Sequence, residues 1–174
     1  MANEHQAAAQ AEIDRIDAQI DSWREQLVVK RRELDAAQAN AAHQVLAGTT
    51  TTAKVAQQAA VLREELVTIE AVLEALDAQR VVALRARLAA KVADAREQQQ
   101  QLREQQAVHD QETVRLMTLV RAHEGPNARL AGDTQSLYLL ERINNYDHSI
   151  SSFEYQLRQF DQEHPEAVPA PVAA

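Results

Sequence analysis

Apolar residues recur at Ile13, Ile16, Ile20, Trp23, Leu27, Leu34, Ala37 and Ala41, in steps of three and four broken only where Lys30 takes a seam position. That is the heptad spacing of a coiled coil, and it predicts a helix over 4–46. The same rhythm returns at Val55, Ala59, Leu62, Leu66, Ile69, Leu73 and Leu76, then lengthens to steps of four through Arg80, Leu84 and Leu88. A second helix over 52–123 follows, with a discontinuity of the kind that locally relaxes a left-handed supercoil. A third stripe, Leu137, Leu140, Ile143, Tyr146, Ile150, Phe153, Leu157 and Phe160, predicts a helix over 133–163.

Breakers fall between these runs. Gly48 precedes four threonines, which disfavour helix and offer an N-cap. Gly125-Pro126 and Gly132 bracket a second break, where proline prevents simple helix continuation. Three prolines between Pro165 and Pro171 predict an extended or disordered tail. The chain thus divides into a long antiparallel coiled-coil hairpin (1–124, turn at 47–52), an amphipathic, aromatic-rich C-terminal helix (125–164) and a Pro/Ala-rich disordered tail (165–174).

At 1.5 Å per residue the middle helix is about 105 Å long and the outer two about 65 and 45 Å. Short connections imply antiparallel neighbours. The expected fold is therefore all-α: an elongated antiparallel helical hairpin or coiled coil of three helices, with one very long central helix and two shorter ones folding back on it. A turn at 47–52 makes facing residue numbers add to about 100, which sets Leu34 on Leu66, Leu27 on Leu73 and Trp23 on Leu76. It also brings Lys30 near Glu70, and Glu12 and Asp14 near Arg85, Arg87 and Lys91. The hairpin seam comprises Ile13, Ile16, Ile20, Trp23, Leu27, Leu34, Leu62, Leu66, Ile69, Leu73 and Leu76. Around the second turn the sum is about 257, setting Leu137 on Val120, Leu140 on Met117 and Ile143 on Val114.

Composition sharpens this picture. Of 174 residues, 33 are alanine and 20 glutamine, so the larger apolar side chains suffice for narrow seams and not for a broad core. Three glycines and four prolines are too few for a β-rich fold. No cysteine is present, which removes disulfides, thiolate zinc sites and cysteine nucleophiles. Residues 1–12 lack the basic and apolar regions of a secretory signal, and no window reaches the roughly 18 apolar residues of a membrane span. A soluble, cytoplasmic protein is expected, with virion association an alternative.

The net charge of -8 argues against nucleic-acid binding, which needs basic side chains to displace counterions. Lys30-Arg31-Arg32 is the one basic run. The six histidines are scattered; Asp161 with His164 and His109 with Glu112 share helical faces, but two ligands from one helix do not close a metal site. Isolated glycines build no phosphate loop. Catalytic residues, cofactors, metals and small-molecule substrates are accordingly not expected.

Along 96–113 the chain is almost wholly polar, with Gln98 to Gln101 and Gln105-Gln106 around Leu102. Helix 133–163 would lay part of its stripe over those glutamines, leaving Tyr146, Ile150, Phe153, Leu157 and Phe160 incompletely covered by one chain. Such a stripe marks an interface for a protein partner or a second copy. The expected function is a non-enzymatic coiled-coil scaffold or assembly protein, of a phage or other particle for example. The alternatives are a helical chaperone or secretion-associated protein that binds clients, and a regulator associated with nucleic acid or polymerase.

Overall fold

The computed structural model describes residues 2–48, 51–126 and 134–169. They form three α-helices, α1 (Ala2–Leu46), α2 (Thr52–Glu124) and α3 (Thr134–Glu163), and one 3₁₀ turn, Pro165–Ala167. The described residues contain no strand. The fold is all-α, with one very long helix against which the two shorter ones pack.

Each helix stops for a local reason. Beyond α1, Ala47 N–H donates to the His43 carbonyl at 2.9 Å and Gly48 N–H to the Val45 carbonyl at 3.1 Å. Gly48 then takes φ +66°, the left-handed conformation that closes a helix end and that side chains with a Cβ resist. Thr51 starts α2 as an N-cap, its hydroxyl oxygen accepting from Lys54 N–H at 3.4 Å. Gly125, at φ +100°, ends α2 in the same manner as Gly48 ends α1. The expected break at Gly132 lies outside the described residues. Pro165, with φ preset by its ring, opens the 3₁₀ turn at its first position, and Val168 N–H closes it onto the Pro165 carbonyl at 3.3 Å. Three prolines suggested an extended or disordered tail, yet residues 165–167 are ordered in this turn and Ala167 is buried. Residues 170–174 lie outside the described part.

The chain separates into two compact units, Gln10–Leu84 and Met1–Ala9 with Arg85–Ala174. In the first, α1 and α2 pack through a cluster of Ile13, Ile16, Ile20, Leu76 and Ala83, against which Trp23, Val72, Leu73 and Leu84 lie. Ile16 is the most completely buried large side chain. Ion pairs flank the seam: Lys30 Nζ lies 3.0 Å from both Glu33 and Glu65, Arg31 2.9 Å from Glu70, and Arg80 2.5 Å from Asp17. The residue numbers of the pairs that cross the seam add to between 95 and 101, close to the expected register. Toward the turn packing loosens: Ala37, Val55 and Leu62 line a groove of about 340 Å³, and Leu46 is 86% exposed.

In the second unit α3 lies on α2 in a register different from the expected one. Arg85 donates from Nε and Nη2 to the two carboxylate oxygens of Asp161 at 2.8 and 3.2 Å, and Arg96 lies 2.5 Å from Glu154. Gln99 donates to Asp147, which also has Arg103 at 3.7 Å. These pairs add to between 246 and 250 in place of 257, which moves α3 along α2 by two to three turns. The buried residues are Leu139 and Ile143 against Leu102, with Tyr146 beside them. Leu137, Leu140 and Val114, which the expected register buries, are exposed. The reason is visible in the heptad: stepping back from Tyr146 by three and then four reaches Ile143 and Leu139, and α3 keeps that rhythm forward through Ile150, Phe153, Leu157 and Phe160.

Candidate interaction site

Ile13, Ile16, Ile20, Leu62, Ile69 and Leu76 of the expected seam are buried, while Trp23, Leu27, Leu34, Leu66 and Leu73 are half-buried. The charge partners differ in detail from expectation. Lys30 meets Glu65 and Glu33, and the neighbouring Arg31 takes Glu70. Their carboxylates hold the Lys30 ammonium above its ordinary pKa, Glu33 first and then Glu65. Glu12, expected beside Arg85, Arg87 and Lys91, instead pairs within α1 with Arg15 at 2.5 Å, and that hydrogen bond lowers its pKa. Arg85 is committed to Asp161, and the Lys91 ammonium stands 5.8 Å above the Phe153 ring.

The stripe expected to be an interface, Tyr146, Ile150, Phe153, Leu157 and Phe160, is half-buried throughout. Tyr146 packs on the Leu102, Leu139 and Ile143 cluster, and the Phe160 ring tilts against His164 with centroids 4.6 Å apart. The glutamine-rich stretch receives part of this packing: Gln99 and Leu102 are buried there. One chain therefore covers most of a stripe that the sequence suggested a partner would cover.

Apolar exposure is greatest elsewhere in this unit, in the half of α2 toward its C-terminus and the start of α3. Val108, Leu116 and Leu119 on α2 are 58%, 51% and 52% exposed, and Leu137, Tyr138 and Leu140 on α3 are also open. A groove of about 650 Å³ takes in Val108 and is lined by Gln101, Glu104, Gln105, Val108, His109 and Glu112 of α2 and by Gln135 and Leu139 of α3. The sequence did contain a signal for it, since 101, 105, 108 and 112 are spaced by four, three and four, but glutamines at half of those positions hide the stripe from any reading by hydrophobicity.

Titratable groups do not converge. Asp161 takes Arg85, while His164 turns its Nδ1 to Glu166 at 3.2 Å, so the two residues three apart share no ligand position. Asp94 of α2 is buried, with its Oδ2 lacking a hydrogen-bond partner. Among the described residues no group of three or more histidines and carboxylates is placed to hold a metal ion. Among them, too, no helix is long and apolar enough to cross a membrane. Compared with family models, curated proteins and solved structures, the chain matches none of them.

Proposed function

We propose that this chain is a non-enzymatic coiled-coil assembly protein, acting by protein–protein association, its own copies included, as a structural or scaffold component of a larger particle in the cytoplasm or a virion. The observation that carries the reading is the apolar surface left at Val108, Leu116, Leu119, Leu137 and Tyr138 after the helices have paired. Exposed apolar side chains gain free energy when another protein covers them, at about 25 cal/mol per Å². The remaining chemistry is suited to the same role: the ionic contacts across both seams are side-chain pairs that set helix register.

A tagged pull-down from the native source, with the mass of the recovered complex measured by light scattering, tests this. The expected result is a stoichiometric assembly of this chain alone or with a fixed protein partner. Recovery of many unfolded clients in substoichiometric amounts would replace the reading by a chaperone, and recovery of nucleic acid by a regulator. A monomer that captures nothing in stoichiometric amount would refute it.

A further inference from the structure

The groove between α2 and α3 has the pattern of half a coiled coil. Gln101, Gln105, Val108 and Glu112 form its α2 wall, and the same alternation of four and three continues to Arg115, Leu119 and Ala122, all exposed. A second helix can pack along such a face, because its own side chains repeat at the same interval. The groove also adjoins an existing seam: Leu139, buried against Leu102 and Ile143, forms part of its α3 wall. A helix laid there would extend the α2–α3 packing into a bundle.

We propose that the occupant is the same segment of α2 from a second copy of this chain, running antiparallel, so that each α2–α3 pair receives the end of the other copy's α2 as a third helix. The inference rests on the assembly reading above and names its partner and geometry. Charge selects the orientation. Neither Glu112 nor Arg115 forms an ion pair with another described residue, and both are exposed. In a parallel pair in register each would face its own copy, like charge on like charge. In an antiparallel pair, with the two-fold axis between residues 113 and 114, Glu112 of each copy faces Arg115 of the other. The same register sets Val108 on Leu119 and Gln105 on Ala122, each twice by symmetry. Val108 therefore meets Leu119 and acid meets base at the centre of the line, with the amide of Gln105 over the small Ala122 at its ends, and such complementarity specifies antiparallel partners.

The absence of native cysteine makes the test direct. In sedimentation equilibrium the full chain should form a dimer whose population rises with concentration. Arg115→Glu should weaken it by at least about tenfold, since two attractive contacts become two repulsive ones. Glu112→Arg combined with Arg115→Glu should restore affinity to within about twofold, a rescue that mere damage to the helix would not give. Circular dichroism should show unchanged helicity in each variant. Under oxidation, Val108→Cys with Leu119→Cys should yield covalent dimers, whereas Val108→Cys alone should not, because the two thiols would stand about 16 Å apart along the bundle.

A dimer indifferent to Arg115→Glu would overturn the groove as its interface while leaving the assembly reading intact. Crosslinking by Val108→Cys alone would overturn the antiparallel register. A chain that stays monomeric yet binds a different protein in a manner sensitive to Arg115→Glu would give the groove to a foreign helix and overturn the second copy. A monomer without partners removes this inference and the assembly reading together.

Discussion

Replacing Leu139 or its neighbour Leu140 by alanine separates the two possible registers of α3 in one experiment. Leucine to alanine removes three carbons, worth about 0.8 kcal/mol each when fully buried. Leu139 is 5% exposed, so the transfer loss is about 2.3 kcal/mol, and the gap left beside Leu102 and Ile143 raises it to about 3 kcal/mol. Leu140 is 42% exposed; the same proportion gives about 1.4 kcal/mol, and with solvent already at the site no enclosed cavity adds to it. Helix propensity changes equally in both variants, so the difference of roughly 1.5 kcal/mol reports burial alone. Urea unfolding followed by circular dichroism at constant slope measures it, and the melting temperature should fall by about 6–12 °C for Leu139→Ala. If Leu140→Ala costs as much as Leu139→Ala or more, α3 does not sit on α2 as described.

Three other perturbations probe separate features. Arg85→Gln should cost about 1–2 kcal/mol, because it leaves Asp161 without its two-pronged partner at a half-buried site; a double-mutant cycle with Asp161→Asn isolates the coupling, and additive effects would refute it. Gly48→Ala should cost about 1 kcal/mol from backbone strain alone, since φ is +66° and no atom lies within 4 Å of the added Cβ; Gly48→Asn should cost less, and equal melting curves for glycine and alanine would exclude the strain. Because Glu33 and Glu65 raise the Lys30 pKa, the folded chain keeps that proton at pH values where the unfolded chain has released it. The stabilisation from Lys30 is therefore complete below about pH 10.4 and is lost as pH rises through the raised value. Lys30→Gln should lack that part of the alkaline decline in thermal melts, and parallel pH profiles would show that the ion pairs contribute nothing.

The two seams differed in legibility for a physical reason. Between α1 and α2, Ile13, Ile16, Ile20 and Ile69 each stand between polar neighbours, so a slip by one residue would place Asp17 or Glu70 where Ile16 or Ile69 belongs. One register survives, and Arg80 with Asp17 and Arg31 with Glu70 agree with it. At the start of α3, Leu137, Tyr138, Leu139 and Leu140 are consecutive, and hydrophobicity alone cannot choose which of them turns inward. The heptad stepping back from Tyr146 selects Leu139, while the position of α3 along α2 comes with polar contacts farther along, Asp147 with Gln99 and Arg103, Glu154 with Arg96 and Asp161 with Arg85, each between residues about 45 to 75 apart. Side-chain hydrogen bonds over that separation have no period in the chain. The groove on α2 escaped notice for a related reason, as all but one of its α2 side chains, Val108, are polar.

The loose packing near the tip of the α1–α2 hairpin has a kinetic consequence. Contacts there span few residues and are cheap to close, but they set the small Ala36 and Ala37 against Val55 and Leu62 across an open groove. The dense cluster of Ile13, Ile16 and Ile20 with Leu76 and Ala83 joins residues about 55 to 70 apart, and closing that span costs about 2 kcal/mol more than closing a six-residue turn. A hairpin that zips from its tip therefore climbs through weak contacts before it reaches strong ones, so the barrier lies late and the distant cluster is the last to form. Run backwards, the same profile lets the tip open and reclose many times while the isoleucines hold. Amide hydrogen exchange should record this as a gradient of protection rising along α1 from Ala41 toward Ile16.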